Sequence, residues 1–392
     1  MATLGLGVFL VGWGTNASTP LLVLYKSELG LGNSSTMAIF TVYVVGILAT
    51  LPLAGPLSDR FGRRAIVLPG VLLSATGSLV LILGRDEFAF LLVGRLILGV
   101  VSGAVLGVSA AWLQELMGPG NERRAAVMST VITYVGFGIG PPISAAFEWL
   151  TDAPLVVPFV FHAAVTLIFV PFLMRVPETN TADRRRDSIR IELGVPPEAR
   201  HTFLGVAVPA AIWVFSFPST SFALFPVLLG SAIPDADVAV AAASGVLTAW
   251  SALLARPILS RFGHDAALLG GMAMGTIGYV FGSIAFATDA WGLVLPAAVL
   301  LGAASGTLTA GVLGLLAEMA APESRGAINS TFYLLAYPGM AMPILLTTIA
   351  GVVGLTTSLT LVTSAAALAT GASALGLVRR QRAVAQAASS AT

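Results

Sequence analysis

Twelve apolar stretches, each bounded by short polar segments, limit what this chain can fold into. They run over about 3–25, 34–57, 65–84, 88–112, 125–149, 154–176, 202–229, 238–258, 265–287, 290–316, 326–350 and 354–378. Roughly 20 apolar residues at about 1.5 Å each cross the hydrocarbon of a bilayer. Within it every backbone polar group must be bonded inside the protein, which leaves helices or a closed barrel. The period-two alternation of a barrel is missing. The expected fold class is an all-α membrane protein with twelve transmembrane helices. Composition agrees, with 56% hydrophobic and 10% charged residues, against about 25% charged in a soluble domain. The first run lacks a basic start and continues to about Tyr25, longer than the core of a cleaved leader, so it is expected to span.

Several chemistries drop out. The chain has no cysteine, which removes disulfides, thiol catalysis and cysteine metal sites. His162, His201 and His264 stand too far apart for a short metal motif. No Walker-type phosphate loop is present, so ATP-driven pumping has no support. No metal or cofactor, and no enzymatic activity, is expected.

Basic residues orient the bundle. Of twenty Lys and Arg, only Lys26 and Arg85 fall in the loops of one side, and Arg95 lies inside a span. The rest occupy the other side, which the positive-inside rule places in the cytoplasm. Both termini are then cytoplasmic. The hydrophilic stretch 177–201, with Asp183-Arg-Arg-Arg-Asp187, reads as a solvated linker rather than a nucleic-acid site. The expected domains are a six-helix bundle over 1–176, the linker 177–201, a second bundle over 202–380 and a tail over 381–392.

The halves echo each other. Ser18-Thr19, Pro56, Arg60-Phe61-Gly62, Gly70 and Gly77 recur 201 residues later as Ser219-Thr220, Pro257, Arg261-Phe262-Gly263, Gly271 and Gly278. The offset becomes 203 for Gly99, Gly103, Glu115 and Pro119, which match Gly302, Gly306, Glu318 and Pro322, and returns to 201 at Glu122 and Arg124, matching Glu323 and Arg325. With six spans per copy, both copies start on the same side, so the repeats are parallel, and substrate sites in such folds lie near the midplane.

The stretch Gly55-Pro-Leu-Ser-Asp-Arg-Phe-Gly-Arg-Arg64 joins spans two and three. Asp59 stands near a helix C-terminus, where the dipole disfavours an anion, so a cationic or helix-N-terminal partner is expected, and Arg60, Arg63 and Arg64 are close in sequence. Glu115, ending span four, offers a second acid, and Gly62 allows a tight turn. An interfacial anchor that only fixes topology is the alternative. This stretch resembles the hairpin motif of the major facilitator superfamily, and the resemblance covers essentially the whole chain. In that family the motif is a cytoplasmic latch, which implies gating roles for Asp59, Arg63 and Glu115. The second copy has Ser260 and His264 where Asp59 and Arg63 stand, so its latch is degenerate and gating is expected to be asymmetric.

Further motifs extend the likeness. Arg95 lies about 10 Å inside span four at 1.5 Å per residue. A charge there faces a cavity or a partner, or snorkels outward. The family has a similar helix-four arginine pattern, and Arg95 is read as a cavity residue. Gly136, Gly140 and Pro141 in span five suit close packing and resemble the antiporter motif of proton-coupled drug exporters, with Ser144 and Ala145 where two glycines usually follow. Arg175-Val-Pro-Glu-Thr179 also looks like these exporters. No Asp or Glu sits squarely within a span, and Asn16 stands where such exporters often carry an acid. His162 could titrate near neutrality, but a packing histidine is the better reading.

In the family, spans one, four, seven and ten line the pathway. Here they supply Trp13, Asn16, Thr19, Arg95, Trp213, Phe217, Ser219, Phe222 and Thr309, with Tyr333 and Tyr337 added from span eleven. An aromatic, weakly polar lining suits amphipathic compounds better than sugars. The resemblance implies secondary transport by alternating access, with proton-coupled efflux of small amphipathic compounds as the first reading. Metabolite uptake or facilitated passage is the second, and a membrane receptor or enzyme the third. The expected partners are a small molecule, protons and the lipid bilayer, with no nucleic acid.

Overall fold

The computed structural model describes residues 1–180, 193–230, 232, 236–321 and 324–390, with the side chains of 383–385 and 387–390 excepted. Asp183–Asp187, Pro322 and Glu323 lie outside the described residues. Among those described, eleven helical segments are long and apolar enough to cross a membrane. They are α1 Ala2–Glu28, α2 Asn33–Phe61, α3 Arg63–Leu83, α4 Phe88–Met117, α5 Glu122–Leu150, α7 Pro197–Leu229, α8 Asp237–Phe262, α9 His264–Ala287, α10 Trp291–Met319, α11 Arg325–Val353 and α12 Leu355–Arg382. The sixth, α6 Val157–Leu173, has 17 residues and is shorter than the 154–176 stretch. Pro154 and Pro158 crowd its start, and proline is accepted only in a helix's first turn without cost.

The echoes have structural counterparts. Gly62 ends α2 with φ +101°, and Gly263 ends α8 with φ +93°, a region open to glycine and hostile to side chains. A Cβ on Gly70 would lie 2.2 Å from Val105, and on Gly77 3.0 Å from Leu98. Their counterparts Gly271 and Gly278 approach Leu308 and Leu301 in the same way, at 2.7 and 2.8 Å. Each partner is displaced by 203 residues while the glycines are displaced by 201. The α3–α4 and α9–α10 seams are therefore one packing solution used twice. The Ser-Thr echo marks a backbone break in both copies. α1 is interrupted over Ser18–Leu21, and α7 widens to a π-helix over Thr220–Leu224.

Contacts group the chain into two compact units. The first is Met1–Ile191 with Phe222–Trp250, and the second is Glu192–Ser221 with Ser251–Thr392. This grouping differs from a division by sequence at Phe222–Trp250, the far end of α7 and most of α8. Within the first unit, Lys26 Nζ donates to the Val227 carbonyl at 3.1 Å, and the Phe40 and Phe222 rings meet edge-on at 5.6 Å. α1 packs on α5, and α3 packs on α4 and α6. In the second unit α9 packs on α10 and α12, and α7 on α10 and α11.

Candidate functional site

The α2–α3 turn brings the expected charges together. Asp59 Oδ1 lies 2.6 Å from Arg63 Nη1, and Glu115 Oε1 lies 2.7 Å from Arg63 Nη2. Arg63 Nε also faces both Glu115 oxygens, at 3.2 and 3.3 Å. The Arg63 side chain is only 11% exposed, so it fills a slot between two acids. A carboxylate near the C-terminus of α2 is disfavoured by the dipole, and Arg63 offsets that at Asp59. Arg60 instead lies 5.3 Å from the Phe61 ring. Gly55 is exposed, and a Cβ there would touch nothing.

The segment after α6 closes over this turn. Glu178 Oε1 accepts from the Arg63 N–H at 3.1 Å, and Oε2 from the Arg64 N–H at 2.9 Å. These donors open α3 and have no partner within the helix, so a carboxylate there meets both hydrogen-bond demand and dipole. Partial burial by itself raises the Glu178 carboxyl. The N–H groups of Arg64, Asn180, Arg63 and Thr179 outweigh it and hold the group below the usual carboxylate range. Thr179 Oγ1 donates to Glu115, and Asn180 Nδ2 donates to the Ser58 and Asp59 carbonyls. Arg64 reaches the Val176 carbonyl, and Trp112 Nε1 donates to Pro177 at 3.0 Å. Sequence reasoning noticed Arg175–Thr179 but gave it no place in the latch.

The second unit holds a related cluster. His264 Nδ1 and Glu318 Oε1 are 2.7 Å apart. Arg380, at the end of α12, joins Glu318 at 2.9 Å and Asp265 at 3.0 Å, and Gln381 donates to Asp265 at 3.0 Å. The second copy is thus populated, with a contribution from Arg380 and Asp265 that sequence reasoning did not include.

Other expected residues fall into packing. Arg95 is 1% exposed. Its guanidinium donates to Thr15 O at 2.7 Å, Ser18 Oγ at 3.3 Å, Ile39 O at 3.3 Å and Phe40 O at 3.4 Å. The Phe40 and Tyr43 rings enclose it. The break after Ala17 leaves carbonyls of α1 without helical donors, and Arg95 satisfies one of them while opposing the C-terminal dipole. The expectation of an open cavity position is corrected here, because the charge bolts α4 to α1 and α2. Trp213 and Phe217 need the same correction. They are buried, stacked at 5.6 Å and pressed on Tyr279 of α9. Phe217 fills the space a Cβ on Gly275 would need. His162 is a packing residue. Its Nε2 donates to Leu10 O at 2.9 Å and its Nδ1 accepts from Ser78 Oγ at 2.8 Å. Gly136 and Gly140 let α5 meet the backbone of α1 at Phe9 and Trp13, and Pro141 lies against Gly245.

What stays partly open lies on α1, α5 and α11. Asn16 is half-buried, with one long bond of 3.4 Å to Phe137 O. Tyr333 and Tyr337 form an aromatic group with Phe215, in which Tyr337 stacks on Phe215 at 4.4 Å. Within the first unit a groove of about 640 Å³ runs between the arginine-rich ends of α1, α4 and α5. Leu6, Phe9, Met117, Met128 and Ile132 line it, with Asn121 and Arg124 at its polar end.

A family model described as Major Facilitator Superfamily matches residues 4–335. The class C tetracycline resistance protein of Escherichia coli is 28% identical over 281 residues, 67% of this chain and 66% of that protein. A triacylglyceride transporter of Mycolicibacterium smegmatis is 38% identical over 114 residues, 29% of this chain. The matched part spans only 20% of that relative's length. Among solved structures, the human organic anion transporter MFSD10 (TETRAN) superposes with a TM-score of 0.65 at 18% identity, covering 95% of this chain and 98% of that one. A POT family transporter in complex with 5-aminolevulinic acid gives 0.75 at 14% identity, covering 96% and 95%. At these identities the structural likeness concerns the fold.

Proposed function

Because this chain belongs to the major facilitator superfamily, we propose that it is a secondary transporter exporting small amphipathic compounds by alternating access, with protons as the coupling ion. It is a multi-pass membrane protein. The proposed setting is the plasma membrane, with the arginine-rich side and both termini in the cytosol. Two six-helix halves, 1–176 and 202–380, are joined by the 177–201 linker and followed by the 381–392 tail.

One observation carries the reading. The groove between α1, α4 and α5 is apolar along its length and ends in polar residues on the arginine-rich side. Such a groove suits a molecule with an apolar body and a polar head, approached from the cytosol. On the opposite side, the Lys26–Val227 bond and the Phe40–Phe222 contact tie α1 and α2 to the outer part of α7. The Asp59–Arg63–Glu115 cluster is the proposed latch, holding one conformation of the cycle and releasing in the other. Relatives named for tetracycline and quinolone resistance favour export.

A membrane potential supplies about 2.3 kcal/mol per charge per 100 mV, enough to drive accumulation when one proton moves per cycle. Everted vesicles with a pH-sensitive dye and an imposed gradient test this. Export coupled to protons requires substrate to evoke proton movement that stops when the gradient is collapsed. Flux indifferent to both pH and potential would remove the coupling.

A further inference from the structure

The distribution of charge in depth selects among amphipathic substrates. Every carboxylate in the described spanning helices sits in a first or last turn: Glu28, Asp59, Glu115, Glu148 and Glu318 near C-terminal ends, and Glu122, Glu198, Asp237 and Asp265 near N-terminal ends. The one charge in the interior is Arg95, which is positive and enclosed by carbonyls. The groove repeats this bias. Its body is apolar, Asn121 is neutral, and its one charged side chain, Arg124, is cationic and exposed. Outside the groove, the half-buried Asn16 of α1 is likewise an amide rather than an acid.

From this arrangement we infer that the transported compounds carry no positive charge, being neutral or anionic amphipaths, and that permanent organic cations are excluded. This rests on the transport reading above. A cation leaving water for the groove loses hydration and gains no counter-carboxylate, which disfavours it by about a thousandfold or more. Ring faces are the rival means of holding a cation. Phe215 and Tyr337 turn one face each toward the other at 4.4 Å, and a single desolvated cation–π contact returns about thirtyfold. The deficit therefore remains. A neutral head loses little at Asn121, and an anionic head gains the field of Arg124.

The test uses purified full-length protein in proteoliposomes under an imposed pH gradient. Three probes are compared: neutral N-phenyl-1-naphthylamine, the anion 1-anilinonaphthalene-8-sulfonate and the permanent cation tetraphenylphosphonium. Protein-dependent flux of the neutral probe and the anion should exceed that of the cation by about tenfold or more. Cation flux equal to neutral flux overturns this inference and leaves the transport reading standing. No protein-dependent flux of any probe overturns both. Asn121→Asp places an acid in the groove and should admit the cation. Exclusion kept at the wild-type ratio, with neutral flux intact, would mean that charge is not the cause.

Discussion

The two charge clusters occupy equivalent places in the repeat and solve the same problem with opposite signs. In the first, a permanent cation, Arg63, is held by two acids, Asp59 and Glu115, and the segment after α6 brings an acid, Glu178, to the start of α3. In the second, His264 stands for Arg63 and meets Glu318 alone, while Asp265 at the start of α9 is met by a cation, Arg380, from the end of α12. Thr179 and Arg380 are 201 residues apart, and each contacts the Glu of its own copy. Ser260 replaces Asp59 and, among the described residues, bonds its own helix, at 3.4 Å to Pro257 O. The loss of one acid and the exchange of Arg for His occur together. The lesson is that the first cluster is built around one arginine between two acids, and the second around two acids bridged by an arginine from the last helix.

The contrast breaks most easily at Asp59. Asp59→Asn should leave expression and insertion unchanged but slow flux in vesicles by roughly tenfold, about 1.4 kcal/mol in the rate-limiting step. The mirror change Ser260→Asp should alter flux far less. Equal effects at both positions would erase the proposed asymmetry.

Next in size is the cap. Glu178→Gln removes the carboxylate from two N–H groups of α3, and losing a helix cap costs about 0.5–2 kcal/mol. A lower unfolding temperature in detergent should report it, whereas Arg380→Gln should shift the midpoint less. The cap also carries a pH signature. The Glu178 carboxyl is held below its ordinary range in the folded protein, so the unfolded chain binds its proton more readily. Its contribution is complete above the unfolded carboxylate range near about pH 4.3 and fades as pH falls through the lower folded value. The difference in midpoint between wild type and Glu178→Gln should stay constant from about pH 7 to 5.5 and shrink below about pH 4. A difference that grows on acidification would contradict the assignment.

The smallest effect is expected at His264. His264→Arg puts a permanent charge opposite a half-exposed Glu318, and such pairs contribute about 0–1 kcal/mol. The midpoint should rise slightly at low salt and return to wild type in high salt.

Much of this was written in the chain. Apolar length located the spans, and the 201 and 203 offsets reappeared as paired glycine contacts on α3–α4 and α9–α10. Asp59, Arg63 and Glu115 were legible because a helix C-terminus makes an acid require a cation. Glu178 was not, since its partners are backbone N–H groups more than a hundred residues earlier, which leave no trace in side-chain pattern. Trp213 and Phe217 were assigned to a cavity and turned out to be core. α7 is apolar and largely buried on all sides, so periodicity gives no direction to its side chains. Arg95 could be recognised as costly in a span, but the carbonyls it satisfies exist only because α1 breaks at Ser18.

Reciprocal accessibility tests alternating access most directly, and a chain without cysteine permits it cleanly. Single variants Val135→Cys, in the groove, and Phe222→Cys, at the Phe40 contact, would be alkylated with a membrane-impermeant maleimide in right-side-out and everted vesicles, with and without substrate and a proton gradient. The account predicts that conditions raising the reactivity of one position lower that of the other. Reactivities that stay fixed, or that rise together, would contradict it.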